Sequence, residues 1–138
     1  AYGVWRETIE ARPELMFPPI RERFRLGAGI AAHDFVAALA ALDRARAGGA
    51  AALAPYDAAL LPTTANLPPR LDRLLAEPEH FAAENLLALR NPNLANLLGL
   101  CAISLPTGVP CCGLMVIGAA GDDRRLLRLA AAMERALG

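Results

Sequence analysis

Apolar residues recur at helical and strand spacings along the chain. Val4 to Arg12 predicts a short helix that stops before Pro13, and Glu14 to Phe17 adds a turn. Pro18-Pro19 fits a helix start, because proline is tolerated in the first turn; Ile20 to Leu26 follows, and Gly27 and Gly29 break it. The clearest helix is expected over 32–47, with Phe35, Leu39 and Leu42 on one face, Asp34 in the first turn and Arg44 and Arg46 in the last. Gly48-Gly49 is expected to stop it. Ala58 to Leu61 reads as a short buried strand ended by Pro62. Arg70 to Ala76 and Pro78 to Leu89 predict two short helices. Asp122 and Asp123 are placed to cap a final helix over 123–137, whose Leu126, Leu129, Ala130, Met133 and Leu137 form a stripe.

Residues 91–121 interrupt this pattern. None of these 31 residues is charged, and they hold all three cysteines and the only serine of the chain. A membrane helix needs ~20 mainly apolar residues without a break. Pro92, Pro106, Pro110 and glycines 99, 108, 113, 118 and 121 break this run, so no span is expected. It divides instead into a helical segment (94–98), a strand (102–105), a turn (106–110) and a strand (112–117). Strands without polar alternation are buried on both faces, which predicts a layered α/β arrangement with helices on each side of a sheet.

Composition sharpens this reading. The chain has 138 residues and is 55% hydrophobic, apolar for a domain that must keep a polar skin. A partner covering part of the surface would resolve that surplus. The net charge is zero, with no lysine, so electrostatics give no reason to expect nucleic acid. Three cysteines cannot all pair internally, and no basic segment followed by an apolar one opens the chain; a reducing, cytoplasmic setting is expected. The first residues, AYGVWRETIE, lack an initiator methionine. Either the start is processed or a longer polypeptide is implied.

No complete catalytic set is visible. Cys111 and Cys112, if on a strand, point to opposite faces and cannot chelate one ion, and they are expected to be small buried residues. Neither they nor any other residues suggest a metal site. His33 and His80 lie far from any cysteine in sequence, so no Cys–His pair is expected. Ser104 stands alone in an expected buried strand, without a glycine-rich elbow or a lysine base. Gly27-Ala28-Gly29 lacks the rest of a phosphate loop. The residues by themselves give no catalytic residues and no cofactor.

The order of four stretches carries a resemblance. In RFRLGAGIAAHDFVAALAALDRAR, Arg25, Gly29, Phe35 and Arg44 match a pattern of Arg, Gly, aromatic and Arg. YDAALLPTT is similar to a strand ending in Pro-Thr. In NLLGLCAISLPTG, Asn96, Gly99, Ala102, Pro106 and Gly108 match a motif that has proline where Cys101 stands. CGLMVIGAAGDDRRLLRLAAAMERAL resembles a closing strand and terminal helix. Together these resemble the C-terminal part of amidase-signature hydrolases, over nearly the whole chain. The compact cysteine-bearing end looks most like carboxybiuret and biuret-type amidases.

The resemblance implies a C-terminal portion of a layered amidase-type fold, with mixed sheet strands flanked by helices. The family's serine nucleophile, second serine and lysine base lie in an N-terminal part, and none maps onto this chain. The expected partners are that N-terminal catalytic part, a small amide substrate and a second copy in a homodimer; nucleic acid and membrane are not expected. Thr63 and Thr64 follow one predicted strand, and Thr107 with Gly108 follows another. They either line a substrate pocket beyond the strand ends or shape tight turns. Asn96 either binds substrate or ties a loop to backbone. Two alternatives stand beside the hydrolase: an amidotransferase A subunit, and a non-catalytic interaction domain whose apolar surplus is a binding surface.

Overall fold

The computed structural model describes residues 1–138. The chain divides into two compact units, 1–41 and 42–138, with the boundary inside a helix.

The first unit contains α1 (Tyr2–Ala11), a 3-10 turn at Pro13–Leu15, α2 (Pro18–Arg25), a second 3-10 turn at Leu26–Gly29, and the start of α3 (Ala32–Leu53). Only Ile9 is buried here. With so little apolar burial, side-chain bonds carry much of the cross-linking. Arg25 grips Glu10 with two hydrogen bonds, Nε to Oε1 at 3.0 Å and Nη2 to Oε2 at 2.7 Å, and joins α2 to α1. Its Nη1 also donates to Glu22 at 3.0 Å. The Phe35 and Leu39 stripe of α3 is formed but remains exposed.

The second unit is built on a sheet of β1 (Ala59–Pro62), β2 (Cys101–Pro106) and β3 (Gly113–Gly118), in the order β1-β3-β2. Both pairings are antiparallel, with Leu61 opposite Met115 and Ile103 opposite Val116. The two outer strands therefore run parallel to each other. α6 (Asp123–Leu137) packs Leu126 and Ala130 on one face, against Val116 and Leu105. α5 (Pro78–Leu98) packs Ala95 on the other, against Met115 and Ile117. α4 (Leu71–Ala76) lies against α5. The predicted layering is present, with helices on both faces of the sheet.

Burial on both faces is confined to β3. In β2 the residues alternate, with Leu105 buried and Ala102, Ser104 and Pro106 exposed. β1 is exposed at three of its four positions. Both are edge strands, and the α5 cluster reaches only Leu61 and Leu100 beside the central strand. Ser104 is thus an exposed residue rather than the buried one expected.

Several element ends also differ from expectation. Gly48-Gly49 does not stop α3, which continues to Leu53. Neither glycine takes the left-handed conformation a stop requires. Gly49 instead lets Leu98 pack against the helix: a Cβ there would lie 3.1 Å from Leu98 Cδ1. The predicted end at Leu89 is likewise overrun, because α5 continues through Pro92 to Leu98. An interior proline costs ~3 kcal/mol and removes the hydrogen bond to the carbonyl four residues back. Asn91, the residue before it, donates from Nδ2 to the Pro62 carbonyl at 2.8 Å, which anchors this turn of α5 to β1. α5 ends at Gly99, φ 69°, with Leu100 N donating to the Ala95 carbonyl and Gly99 N to Asn96. That pair of bonds is the Schellman arrangement. Arg46 Nε donates to the nearby Leu97 carbonyl at 3.0 Å. Asp122 occupies the N-cap position of α6 without a capping hydrogen bond. Its carboxylate accepts from Arg125 instead, which also pairs with Asp57 ahead of β1.

In the first unit, the hydrogen bond from Arg25 is the main cause holding the Glu10 carboxyl below the ordinary glutamate range. Arg21 is the main cause for Glu22. A carboxyl lowered by folding adds stability above its unfolded pKa, and that stability is lost as pH falls through the folded value. Titration of the Glu10 carboxyl by NMR is expected to show a depressed pKa that rises toward the ordinary glutamate range in Arg25→Ala. Because the pair is solvent-exposed, the associated acid destabilisation is expected to be small.

Candidate functional site

Because β1 and β2 run the same way, their C-terminal ends meet at one end of the sheet, on either side of the start of β3. Thr63 N donates to the Gly113 carbonyl at 2.8 Å, and Pro106 lies opposite Gly113. Thr63, Thr64, Thr107 and Gly108, read from two separate stretches, are therefore gathered at this end. Asn96 is not. It lies in the last turn of α5, near the start of β2, and its carbonyl accepts the Gly99 N–H in the helix stop.

The hydroxyls at this end have different occupations. Thr107 Oγ1 donates to the Cys112 carbonyl at 2.9 Å and accepts from Val109 N at 3.4 Å, so it ties the turn together. Gly108, φ 75°, supplies the left-handed residue that the same turn needs. Thr64 Oγ1 donates to the Asn66 carbonyl at 3.0 Å. Thr63 and Ser104 share a hydrogen bond of 2.5 Å. A hydroxyl carries one proton. Whichever partner accepts in that pair keeps its own proton, and it is the only hydroxyl among the four not committed as a donor.

Gly113 makes the pair possible. A Cβ there would lie 2.6 Å from Thr63 Oγ1 and 2.8 Å from Ser104 Oγ. Sequence reasoning set Ser104 aside because it lacks a base, and it treated Gly113 only as a break in the uncharged run and as part of a motif. The cross-strand register that joins them is a long-range pairing that local patterns do not reveal.

Beside this end lies a cavity of about 310 Å³, lined by Thr64, Asn66, Phe81, Glu84, Asn85 and Cys111 among others. Asn66 Nδ2 donates to Glu84 Oε2 at 2.6 Å, linking the loop after β1 to α5. Neither Asn66 nor Glu84 was singled out by sequence, since each is an isolated polar residue in an unremarkable context. A larger hollow of about 820 Å³, lined in part by Arg46, Asp57 and Arg125, opens at the opposite end of the sheet. Its arginines are engaged: Arg46 with the Leu97 carbonyl and Asp43, and Arg125 with Asp57 and Asp122. The hydroxyl-bearing end is the better candidate, because it offers an uncommitted donor over an exposed strand face.

The expected strand begins at Cys112, but β3 begins at Gly113, so Cys111 and Cys112 both belong to the preceding turn, and both are exposed free thiols rather than the small buried residues expected. His33, His80 and the cysteines form no group of three or more His, Cys, Asp or Glu able to hold a metal. No single helix is long and apolar enough to cross a membrane.

No family model matches the chain. The chain is 31% identical over 129 residues to 2-amino-5-chloromuconic acid deaminase of Comamonas testosteroni, a match covering 91% of this chain and 28% of that protein. A crystal structure of an amidase superposes on all of this chain with a TM-score of 0.73 and 26% identity, and the match covers 33% of that amidase chain. The chain is related to amidase-type hydrolases. It spans 28% of the length of the deaminase and 33% of that of the amidase. The amidase-type relationship extends through both compact units, since the structural match includes every residue.

Gly113→Ala is expected to force Thr63 and Ser104 apart and destabilise the fold by ~1–3 kcal/mol in chemical denaturation. Adding Ser104→Ala should recover part of that loss, because it removes one of the two obstructing oxygens. Additive effects of the two substitutions would show that the close approach is not what constrains position 113.

Proposed function

We propose that this chain is part of an enzyme that hydrolyses carbon–nitrogen bonds of the amide type. In this reading it supplies core strands and one wall of the substrate pocket. The nucleophile and base come from polypeptide outside these 138 residues. The observation that carries the reading is the superposition of all of this chain on one third of an amidase, at a TM-score of 0.73 and 26% identity. The chemistry of the chain supports it. Ser104 is bonded to Thr63 rather than to a base, and there is no lysine to activate it. Acyl transfer to a serine needs such a base and donors for the developing oxyanion.

The exposed apolar surface supports a covering partner of the kind an N-terminal catalytic part would provide. Phe35, Val36 and Leu39 on α3 and Leu86, Leu94 and Leu97 on α5 are among the uncovered residues. Both outer strands also keep a free edge, the ordinary template for further strand pairing. The pocket wall is assigned to Thr63, Ser104 and Thr64, with the uncommitted hydroxyl donating to a substrate oxygen. Thr107 and Gly108 act by holding the turn, and Asn96 by ending α5. The short turn between Pro106 and Gly113 is the ground for the narrower reading, a small biuret-like amide as substrate.

The isolated chain is expected to release no ammonia from simple amides or biuret above the buffer blank. Sustained turnover near ~1 s⁻¹ would contradict the placement of the chemistry elsewhere. A chimera in which this chain replaces the matching third of the amidase is expected to keep hydrolysis. In it, Thr63→Val with Ser104→Ala should lower kcat/KM ~10-fold, the worth of one substrate hydrogen bond. A folded chimera without hydrolysis would overturn the reading.

A further inference from the structure

The turn ahead of β3 places two thiols side by side at the surface. Val109, Pro110, Cys111 and Cys112 form a turn closed by Cys112 N donating to the Val109 carbonyl at 3.1 Å. Proline at the second position and a left-handed residue at the third are what a type II turn requires. The third residue is Cys111, φ 62°, the only non-glycine residue of the chain with positive φ. Holding a side chain there costs ~1–2 kcal/mol that glycine would avoid. Thr107 braces the turn through the Cys112 carbonyl. Both cysteines are free and exposed, and both line one shallow hollow over 106–113.

Two sulfurs alone limit what such a site binds. Structural zinc takes about four ligands, and no third His, Cys, Asp or Glu joins the pair. A direct disulfide is also disfavoured. Consecutive Cα atoms lie ~3.8 Å apart, below the usual ~4.4–6.8 Å of disulfides. A soft centre that needs only two thiolates and stands between them meets neither objection.

We propose that Cys111 and Cys112 form a dithiol site for a thiophilic trivalent arsenical. With an organic arsenoxide, two sulfur–arsenic bonds form while two S–H bonds and the arsenic–oxygen bond break. Both protons leave on the oxygen as one water. Arsenic remains trivalent, so no oxidant or reductant takes part. Cys101 lies outside the site, at the start of β2, with Sγ donating to the Ala119 carbonyl at 3.0 Å.

The test uses the full 138-residue chain and phenylarsine oxide, read by intact mass. One adduct is expected, heavier by the reagent less one water, displaced by a vicinal dithiol but not by a monothiol at equal thiol concentration. The half-saturating concentration should rise at least ~100-fold in Cys111→Ser and in Cys112→Ser, because chelation is lost, and stay unchanged in Cys101→Ser. Fragmentation of the wild-type adduct, which does not depend on the variants folding, should place arsenic across residues 111 and 112. Arsenic on Cys101, undiminished affinity in either single variant, or ready displacement by a monothiol would overturn the proposal.

Discussion

The second unit depends on the burial of β3 between two helices. Val116 is fully buried on the face covered by α6, and Ile117 is 2% exposed on the face covered by α5. Each such side chain contributes ~1.5–3 kcal/mol by leaving water. The outer strands are held by hydrogen bonds to β3, and each has a free outer edge. Remove the central strand and neither helix has a continuous apolar surface to rest on. The absence of charge from β3 follows from this constraint, since a strand covered on both faces has no position for a charge.

The same constraint sets out the candidate site. With β3 between two parallel outer strands, the strand ends that carry hydroxyls converge where β3 begins. Gly113, without a side chain, is the first residue of that strand and leaves room for Thr63 and Ser104 to bond across it. Packing and pocket are therefore joined by one residue. No base is bonded to the Thr63–Ser104 pair, and the exposed thiols of Cys111 and Cys112 lie in the turn that leads into β3.

Much of this architecture was legible in the sequence because short-range patterns determine it. β1, β2, β3 and α6 fall close to the expected positions, marked by apolar runs and their prolines and glycines. Four of the five candidate site residues come together at one sheet end, which the strand–turn pattern implied. The failures share a cause in long-range contact. Gly48-Gly49 reads as a stop, yet Leu98, distant in sequence, fills the space above Gly49. Pro92 reads as a break, yet Asn91 anchors the helix to β1. The Cys111-Cys112 pair reads as buried because it is apolar, whereas Pro110 and the Thr107 hydroxyl hold it in an exposed turn. Ser104 gained its significance only from a partner 41 residues away.

The uncovered helices give the account its sharpest test. The central claim is that cohesion radiates from β3, while the apolar stripe of α3 is exposed and contributes little burial. Amide hydrogen exchange on the isolated chain separates these regions. The account predicts the slowest exchange over 114–118, with much faster exchange over 32–41 at the start of α3. Protection over 32–41 equal to that of β3 would contradict it.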